Sequence, residues 1–254
     1  MTPAMICTLV LHTGSAVLLV VDSALWPWVA GALAVNHLLL LAGVFLARAR
    51  LLGPNLDHLP AAAIAHRQVC LTFDDGPHPD ITWRVLELLE RHRAQASFFC
   101  VGEKAEAYPE IVREIARRGH SVENHSHRHP NTFALYGIAL LRREVETAQA
   151  ALTAITGRAP QFFRAPMGLR SPLLGFVLAR AGLRYVSWTR RGFDTVSRDP
   201  ARVLARLTSG LGAGEVLLLH DTTPATLAVL TLLLEHLTAR GLKCVSLAQA
   251  CSLS

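Results

Sequence analysis

The chain has 254 residues, of which 51% are hydrophobic and only 17% are charged. This composition is more apolar than that of an average soluble domain, and the length accommodates one sizeable domain with an appendage. The formal net charge of +6 suits an anionic membrane surface or a phosphorylated substrate. The basic residues are dispersed and form no run interleaved with aromatic residues, so the sequence disfavours a nucleic-acid partner.

The apolar excess is concentrated at the N-terminus, where residues 5–21 and 28–47 contain no charged side chain. A transmembrane helix needs about 17–25 largely apolar residues, so both runs are long enough to span a bilayer. Trp26 and Trp28, at the turn between the runs, fit an interfacial aromatic belt. We therefore predict that residues 1–50 form a membrane anchor of two transmembrane helices.

Two alternatives to this hairpin are a single uncleaved anchor and a signal peptide, although a signal peptide normally begins with a basic segment that this chain lacks. Arg48 and Arg50 directly follow the second apolar run, whereas the turn between the runs carries only Asp22. The positive-inside rule therefore predicts a multi-pass protein of the inner (cytoplasmic) membrane with its C-terminal part in the cytoplasm.

Residues 51–66 are predicted to be a linker, and residues 67–254 are predicted to form one domain. In that domain, short apolar runs alternate with amphipathic helical patterns. Such alternation predicts an α/β fold with a parallel sheet, either open or closed into a barrel. The predicted strands are 69–73, 96–101, 121–123, 161–164, 184–188, 216–220 and 242–247, and the helical patterns between them are 80–93, 109–118, 137–155, 171–181, 199–211 and 225–240.

Two adjacent carboxylates, Asp74 and Asp75, directly follow the first predicted strand and precede Gly76-Pro77. Neighbouring side chains inside a strand point to opposite faces, but at a strand end the backbone turns and both can reach one pocket. A bound cation would relieve the repulsion between them. The pair is typical either of a turn or of a site with one metal ligand beside one proton-accepting group.

Histidines cluster in the segment after the third predicted strand, at His125, His127 and His129. Pro130 disfavours a helical conformation at the preceding residue, so we expect a tight loop here. Two imidazoles and one carboxylate are a familiar ligand set for catalytic zinc, with a further position open for water. The cluster therefore predicts a metal site at the C-terminal edge of the sheet.

Further polar residues follow other predicted strands: Arg164, Asp194 and His220. Each has an ordinary explanation as a surface arginine, a loop aspartate or a polar residue that closes a strand. In parallel α/β folds, however, active-site residues gather at the C-terminal ends of the strands. Their recurrence at successive strand ends therefore favours a common site.

These segments resemble the polysaccharide deacetylases with a NodB-homology domain, which form carbohydrate esterase family four. Residues 72–76 match the first family motif, residues 125–129 the second, residues 164–166 the third and residues 218–220 the fifth. The resemblance spans about residues 67–250. It implies a distorted seven-stranded (β/α) barrel and hydrolysis of the acetamide of an N-acetylated amino sugar.

The resemblance also implies the metal-binding residues and the base. Asp75, His125 and His129 would hold a divalent metal, usually Zn²⁺. Asp74 would be the general base, and Arg164 would orient it.

The other roles that the resemblance implies concern the acid and the oxyanion. His220 would be the general acid, paired with Asp194, and the backbone N–H of Met167 would lie in the oxyanion hole. The fourth motif departs from the family pattern, because Arg191 replaces an aspartate and Thr195 a tryptophan. Met167 also stands where tyrosine is common, and these changes put recognition of a polymer chain in doubt.

Lipid-linked amino sugars are among the substrates that the resemblance implies. The predicted hairpin favours a sugar carried on polyprenyl phosphate, used in lipid A or envelope glycan modification, with membrane lipid as a neighbour. Arg170, Arg190 and Arg191 are predicted to lie in loops at the mouth of the site, where they could bind the phosphate through paired hydrogen bonds. Two alternatives are a periplasmic deacetylase of peptidoglycan or exopolysaccharide and an inactive carbohydrate-binding or scaffold protein.

Overall fold

The N-terminal part of the computed structural model is a pair of long apolar helices, α1 (Pro3–Val21) and α2 (Trp26–Phe45). The structure describes residues 2–197 and 199–252. Both helices are long and apolar enough to cross a membrane, with mean hydropathies of 2.2 and 1.8 over their most apolar windows. Their bounds lie within a few residues of the predicted spans, and most of their side chains are exposed.

A curled, parallel sheet forms the centre of the rest of the chain. Its strands run in the order β5-β4-β3-β2-β1-β7-β6, and β8 pairs with the beginning of β1. The strands are β1 (Gln68–Asp74), β2 (Ala96–Cys100), β3 (Ser121–Asn124), β4 (Phe162–Phe163), β5 (Arg184–Tyr185), β6 (Arg190–Arg191), β7 (Val216–His220) and β8 (Lys243–Cys244). The predicted α/β barrel is confirmed, with helices between the strands.

Helices cover the sheet and bury it in the main hydrophobic core. This core joins α4 and α10 to the buried face of β1 and β2, where the rings of Phe73 and Phe98 stack at 5.0 Å. The helices are α3 (Ala61–Ala65), α4 (Ile81–Arg91), α5 (Gly102–Ala107), α6 (Pro109–Arg117), α7 (Ile138–Thr156), α8 (Leu174–Ala181), α9 (Pro200–Thr208), α10 (Pro224–Ala239) and α11 (Leu247–Cys251).

The predicted strand 184–188 is divided in the structure. Its first two residues form β5, which pairs with β4, and after a bend at Thr189 the chain forms β6, beyond the predicted strand, which pairs with β7. Val186, between the two parts, instead forms a bridge with Leu56. The segment therefore closes the curled sheet by contacting both of its edges in turn, an arrangement that depends on partners distant in sequence.

Residues 51–66 were predicted as a linker, but they pack into the barrel. The Leu56 N–H donates to the Tyr185 carbonyl at 3.0 Å, and His58 forms a bridge with Glu215. Leu59 and Ala63 are buried in the apolar cluster under this end of the sheet. The wall of the barrel thus begins before residue 67, and residues 253–254 of the predicted domain lie outside the described residues.

Arg170 attaches the hairpin to the barrel, and its guanidinium is buried in that attachment and not free in a loop as predicted. Its buried guanidinium donates to the carbonyls of Gly53 and Pro54 at 3.1 and 3.0 Å and stacks over the Tyr185 ring at 4.3 Å. Its backbone N–H donates to the carbonyl of Val44, in the last turn of α2, at 3.4 Å. These contacts use the guanidinium inside the protein, which corrects its assignment as a phosphate-binding residue.

We expect Arg170→Met to lower the free energy of unfolding by about 2–3 kcal/mol, because the buried carbonyl of Gly53 and the partly buried carbonyl of Pro54 lose a charged donor while the aliphatic part still packs on Tyr185. Thermal unfolding of the full chain in detergent measures the change. Arg180→Met, at an exposed position on α8, is the matched control and should change stability by less than about 0.5 kcal/mol. Equal melting temperatures for the two variants would show that the Arg170 contacts contribute nothing.

Candidate active site

The turn after β1 separates the two neighbouring aspartates. Asp74 is the last residue of β1, and Asp75 follows with a φ of 71°, outside the strand conformation. Because the backbone changes direction there, both carboxylates face the C-terminal end of the barrel. The side chain of Asp74 is 6% exposed, whereas that of Asp75 is 28% exposed. The two groups therefore have different surroundings despite being adjacent in sequence.

Asp75 meets two histidines from the loop after β3. Its Oδ1 lies 3.3 Å from Nε2 of His125 and 3.1 Å from Nε2 of His129. One ligand atom from each of the three residues lies within 4.8 Å of the others. Although burial opposes it, hydrogen bonding to the two imidazoles lowers the pKa of Asp75 far below its ordinary value. A carboxylate is therefore available at neutral pH.

The donor set and its orientation fit a divalent metal of the Zn²⁺ type. Nδ1 of His125 bonds the Arg164 carbonyl at 2.8 Å, which directs Nε2 toward Asp75. A carbonyl bonded to the second imidazole nitrogen is the usual support for a metal-binding histidine. Two imidazoles and one carboxylate leave a coordination position for water, and the partial exposure of Asp75 leaves that side accessible.

The loop 125–129 is tight, as predicted, and its backbone is held by two polar side chains that the sequence analysis missed. Oδ1 of Asn124 accepts from the N–H of Ser126 at 3.0 Å. Oε2 of Glu144, on α7, accepts from the N–H groups of residues 127–128 at 3.1 and 2.9 Å. Glu144 is buried and lies well beyond the histidines in sequence, so no local pattern pointed to it.

Arg164 lies beneath Asp74 and is fully buried. Its Nη1 donates to Oδ1 of Asp74 at 2.6 Å and to Oγ1 of Thr72 at 2.8 Å, and Nη2 donates to the Ser187 carbonyl at 2.9 Å. The other carboxylate oxygen of Asp74, Oδ2, lies 3.8 Å from Nε2 of His125. One oxygen of Asp74 is therefore held by the guanidinium while the other faces the histidine cluster.

On the opposite side of the site, His220 at the end of β7 pairs with Asp194. Nδ1 of His220 lies 2.9 Å from Oδ1 of Asp194, and Oδ2 accepts from the His220 N–H at 2.8 Å and from the Thr226 hydroxyl at 2.7 Å. Burial acts to lower the pKa of His220, but the hydrogen bond and charge of Asp194 outweigh it and raise the pKa above its ordinary value. The imidazole is thus prepared to carry a proton.

Met167 lies in the 3-10 turn Pro166–Gly168 that follows β4, with a φ of 59°. This is the loop that continues from Arg164. A methyl group added at Gly168 would come within 2.3 Å of the Trp188 ring, so Trp188 packs directly on this turn. The Trp188 ring also lies 5.8 Å from the Arg164 guanidinium. Trp188 therefore forms part of the wall of the site, although the sequence analysis assigned it no role.

The two neighbouring arginines of β6 have different surroundings. Arg190 was predicted at the mouth, but the register Arg190↔Leu217 places it near the start of β7. There its Nε bonds Oε2 of Glu215 at 2.6 Å, and the guanidinium also bonds the carbonyl of Gly210 at 3.0 Å. Arg190 therefore lies away from His220, at the other end of β7, and its placement at the mouth was wrong.

Arg191 remains next to the site. Its guanidinium lies over the rings of Trp188 and Phe193, at 5.4 and 4.8 Å from their centroids. Within residues 2–197 and 199–252, its buried Nε has no hydrogen-bond partner. Of the three arginines proposed from the sequence to bind phosphate, Arg191 is the one whose guanidinium lies beside the ring of Trp188.

Asp221 is a further buried carboxyl near the site. Its Oδ2 accepts from the hydroxyl of Thr82 at 2.5 Å, and a methyl group added at Gly76 would come within 2.3 Å of its Oδ1. Burial raises the pKa of Asp221 to about 6. The carboxyl packs against the turn that carries Asp75, and its position directly after His220 was the sequence signal that could have indicated it.

The chain is similar in sequence to known deacetylases. The family model described as polysaccharide deacetylase matches residues 63–186. A chitooligosaccharide deacetylase of Azorhizobium caulinodans is 35% identical over 198 residues, which cover 71% of this chain and 94% of that protein. A peptidoglycan-N-acetylglucosamine deacetylase of Bacillus cereus is 33% identical over 61% of this chain and 56% of its own length.

A solved structure shares both fold and sequence. The family 4 carbohydrate esterase from Streptomyces lividans in complex with acetate has a TM-score of 0.66 and is 33% identical, covering 70% of this chain and 91% of that one. The chain therefore belongs to the polysaccharide deacetylase family and is a hydrolase that acts on N-acetylated amino sugars.

Proposed function

We propose that the protein is a metal-dependent N-deacetylase that removes the acetyl group from an N-acetylglucosamine-type sugar. The observation that carries this proposal is the convergence of Asp75, His125 and His129 beside a carboxylate held by arginine. A proton-carrying histidine lies at the end of the strand next to β1. A metal ligand set, a base and an acid are the groups that amide hydrolysis requires.

The residues divide the reaction between them. Asp75, His125 and His129 would hold a divalent metal, most simply Zn²⁺, which would supply Lewis-acid polarisation of the amide carbonyl and of water. Oδ2 of Asp74 accepts a proton from the water that attacks the carbonyl carbon, because Oδ1 is already bonded to Arg164. The fixed guanidinium keeps that carboxylate in one orientation.

The second half of the reaction needs an acid, because an amine leaves poorly without a proton. His220 donates its proton to the sugar nitrogen as the carbon–nitrogen bond breaks, which releases acetate and the free amine. Asp194 orients the imidazole and stabilises its protonated form. The N–H of Met167, in the turn after β4, is proposed to donate to the oxyanion.

The names of the relatives indicate oligosaccharide and peptidoglycan substrates for those proteins. We propose an N-acetylglucosamine-containing glycan as the substrate class here. A catalytically inactive carbohydrate-binding protein is the alternative from another class. Two ion pairs argue against this alternative, Arg164 with Asp74 and Asp194 with His220. Binding of a carbohydrate alone does not require either pair.

A second candidate substrate is a sugar linked to polyprenyl phosphate in the membrane. Its support is the pair of apolar helices and the Arg191 guanidinium, which stacks beside Trp188 with its Nε unpartnered among the described residues. The predicted cytoplasmic orientation stays a prediction. Arg48 and Arg50, on which it rests, both pair with Asp57, at 3.2 and 3.1 Å, which reduces the positive charge at that end of the hairpin.

We expect Asp74→Asn to lower kcat by about 10²–10⁴-fold, because the amide cannot accept the proton from water. Metal content should stay near that of the wild type, since Asp74 is not in the ligand set. His129→Ala is the matched comparison and should lose bound metal as well as activity. Metal analysis together with release of acetate from N-acetylchitooligosaccharide measures both effects, and full activity of Asp74→Asn would overturn the assignment of the base.

We expect Asp194→Asn to shift the alkaline limb of the kcat/KM profile to lower pH. Asp194 raises the pKa of His220, and a general acid works only below its pKa, so activity is lost as pH rises through that value. Loss of the Asp194 charge lowers the pKa of His220 and moves the alkaline limb to lower pH. Thr226→Val removes a hydrogen bond to Asp194 but keeps its charge, so its limb should move less. An unmoved limb in Asp194→Asn would contradict His220 as the acid.

For the lipid-linked candidate, we expect Arg191→Ala to raise KM about tenfold for a polyprenyl-phosphate N-acetylhexosamine while leaving KM for a soluble N-acetylchitooligosaccharide nearly unchanged. The selective effect follows because only the first substrate carries a phosphate. Arg190→Ala, which breaks the pair with Glu215, controls for general loss of an arginine from β6. An equal effect of Arg191→Ala on both substrates would remove the support for phosphate recognition.

A further inference from the structure

Exposed apolar side chains gather at the end of the barrel that carries the site. Outside residues 1–50, the most exposed large hydrophobic side chains among the described residues are Leu135, Val196 and Met167, at 86, 79 and 54%. Phe193 is also exposed, at 43%. We name Leu135, Met167, Phe193 and Val196 the apolar rim.

Each rim residue follows the C-terminal end of a strand. Leu135 lies between β3 and α7, Met167 follows β4, and Phe193 and Val196 follow β6. The C-terminal ends of parallel strands lie at the same edge of the sheet, which is also where Asp75 and the two histidines meet. Scattered exposed apolar residues are ordinary, but a collection at one end indicates an interaction surface.

The base of the hairpin contacts the same end of the barrel. The N–H of Arg170 bonds the Val44 carbonyl in the last turn of α2, and Arg170 is three residues from Met167 in sequence. Three residues span at most roughly 11 Å, so the end of α2 lies close to Met167, the rim residue in the turn after β4. The bonds from the Arg170 guanidinium to Gly53 and Pro54 fix this attachment. If α1 and α2 cross a bilayer, its surface therefore lies near the Met167 part of the rim.

Arginines lie beside or near residues of the apolar rim. Arg191 and Arg206 lie over the Phe193 ring at 4.8 and 5.4 Å, and Arg128 lies in the loop that precedes Leu135. At a bilayer surface, arginine places its stem against apolar groups and its guanidinium among the headgroups. Basic residues are also attracted to anionic lipid, by about 1 kcal/mol each. The chemistry of this end of the barrel thus matches an anionic phospholipid surface.

We propose that the apolar rim inserts into the interfacial layer of an anionic phospholipid bilayer, so that the mouth of the site opens at the lipid surface. This inference rests on the membrane anchoring in the proposed function. It goes further by assigning a lipid contact to the catalytic barrel itself. A substrate carried in the bilayer would then reach Asp75 and the histidines without leaving the surface, while a soluble glycan would approach from the open side.

Fluorescence quenching in vesicles tests the proposal. The full chain carries Cys7→Ser, which removes the exposed thiol of α1. A single cysteine is then added by Leu135→Cys or Val196→Cys and labelled with bimane. The matched control is Leu232→Cys, on α10, where an exposed leucine lies outside the rim. The Cys7→Ser chain alone gives the background from the remaining cysteines. Vesicles contain phosphatidylglycerol and brominated phosphatidylcholine.

The rim labels should be quenched several-fold more strongly than the control label. Equal quenching of all three labels in vesicle-bound protein would overturn the proposal. In parallel, Leu135→Glu and Val196→Glu should lower turnover of a vesicle-embedded polyprenyl-phosphate N-acetylhexosamine by tenfold or so and leave turnover of soluble N-acetylchitooligosaccharide intact. Equal turnover of the embedded substrate by the wild type and both variants would also contradict insertion of the apolar rim into the bilayer.

The two proposals fail in distinguishable ways. Strongly quenched rim labels on a chain that deacetylates neither substrate would refute the proposed function and support the lipid contact. Unquenched rim labels on an active, vesicle-bound chain would refute the lipid contact and leave the deacetylase unaffected. The rim variants do not touch the metal ligands, the base or the acid, so soluble-substrate turnover also reports that each variant is folded.

Discussion

The buried guanidinium of Arg164 is the constraint on which the candidate site depends. A fully buried arginine needs partners for its charge, because removing it from water costs several kcal/mol. Here Asp74, Thr72 and the Ser187 carbonyl accept from its two terminal nitrogens, and the Phe99 ring lies 4.2 Å from the guanidinium, whereas the buried Nε has no partner among the described residues. These partners tie β1 and the segment after β5 to the end of β4. Removal of any one would leave a buried polar group without its partner.

The same residue links Asp74, the proposed base, to the histidine loop proposed to bind metal. The backbone carbonyl of Arg164 accepts from His125, whereas its side chain holds Asp74. Both groups are therefore positioned from a single point in the chain, at the end of a two-residue strand. The short β4 is adequate for this task because its neighbours and the helices α7 and α8 pack around it. Rigidity at the site comes from burial and not from strand length.

Adjacent aspartates with different functions require different electrostatic surroundings. Asp75 faces two imidazoles and is partly open to solvent, whereas Asp74 is buried against a permanent positive charge. On the far side, Asp194 gives His220 a raised pKa. The result is a site in which the proposed base and the proposed acid accompany the proposed ligand set, and each of the two is held by its own charged partner. The attachment of the hairpin near the Met167 turn then brings this site close to the apolar helices.

The sequence by itself determined the fold class, the order of the elements and the segments that carry chemistry. This was possible because alternation of strands and helices is local, and because parallel strands place their C-terminal ends at one edge. The motif residues around Asp74, His125 and His220 sit at those ends, so their proximity followed from the class of fold. The apolar length of α1 and α2 was likewise visible in composition alone.

Only the tertiary structure decided which partner each polar side chain takes. Arg170 bonds the segment at residues 53–54, and Arg190 bonds Glu215, although both resemble free loop arginines in sequence. Glu144 supports the histidine loop from α7, and residues 51–66 complete the barrel wall. In each case the partner is distant along the chain. A buried charge or an unpaired sheet edge needs a hydrogen bond, and this requirement determines the partner. Local patterns cannot encode that choice, because it depends on which groups remain unsatisfied once the barrel has closed.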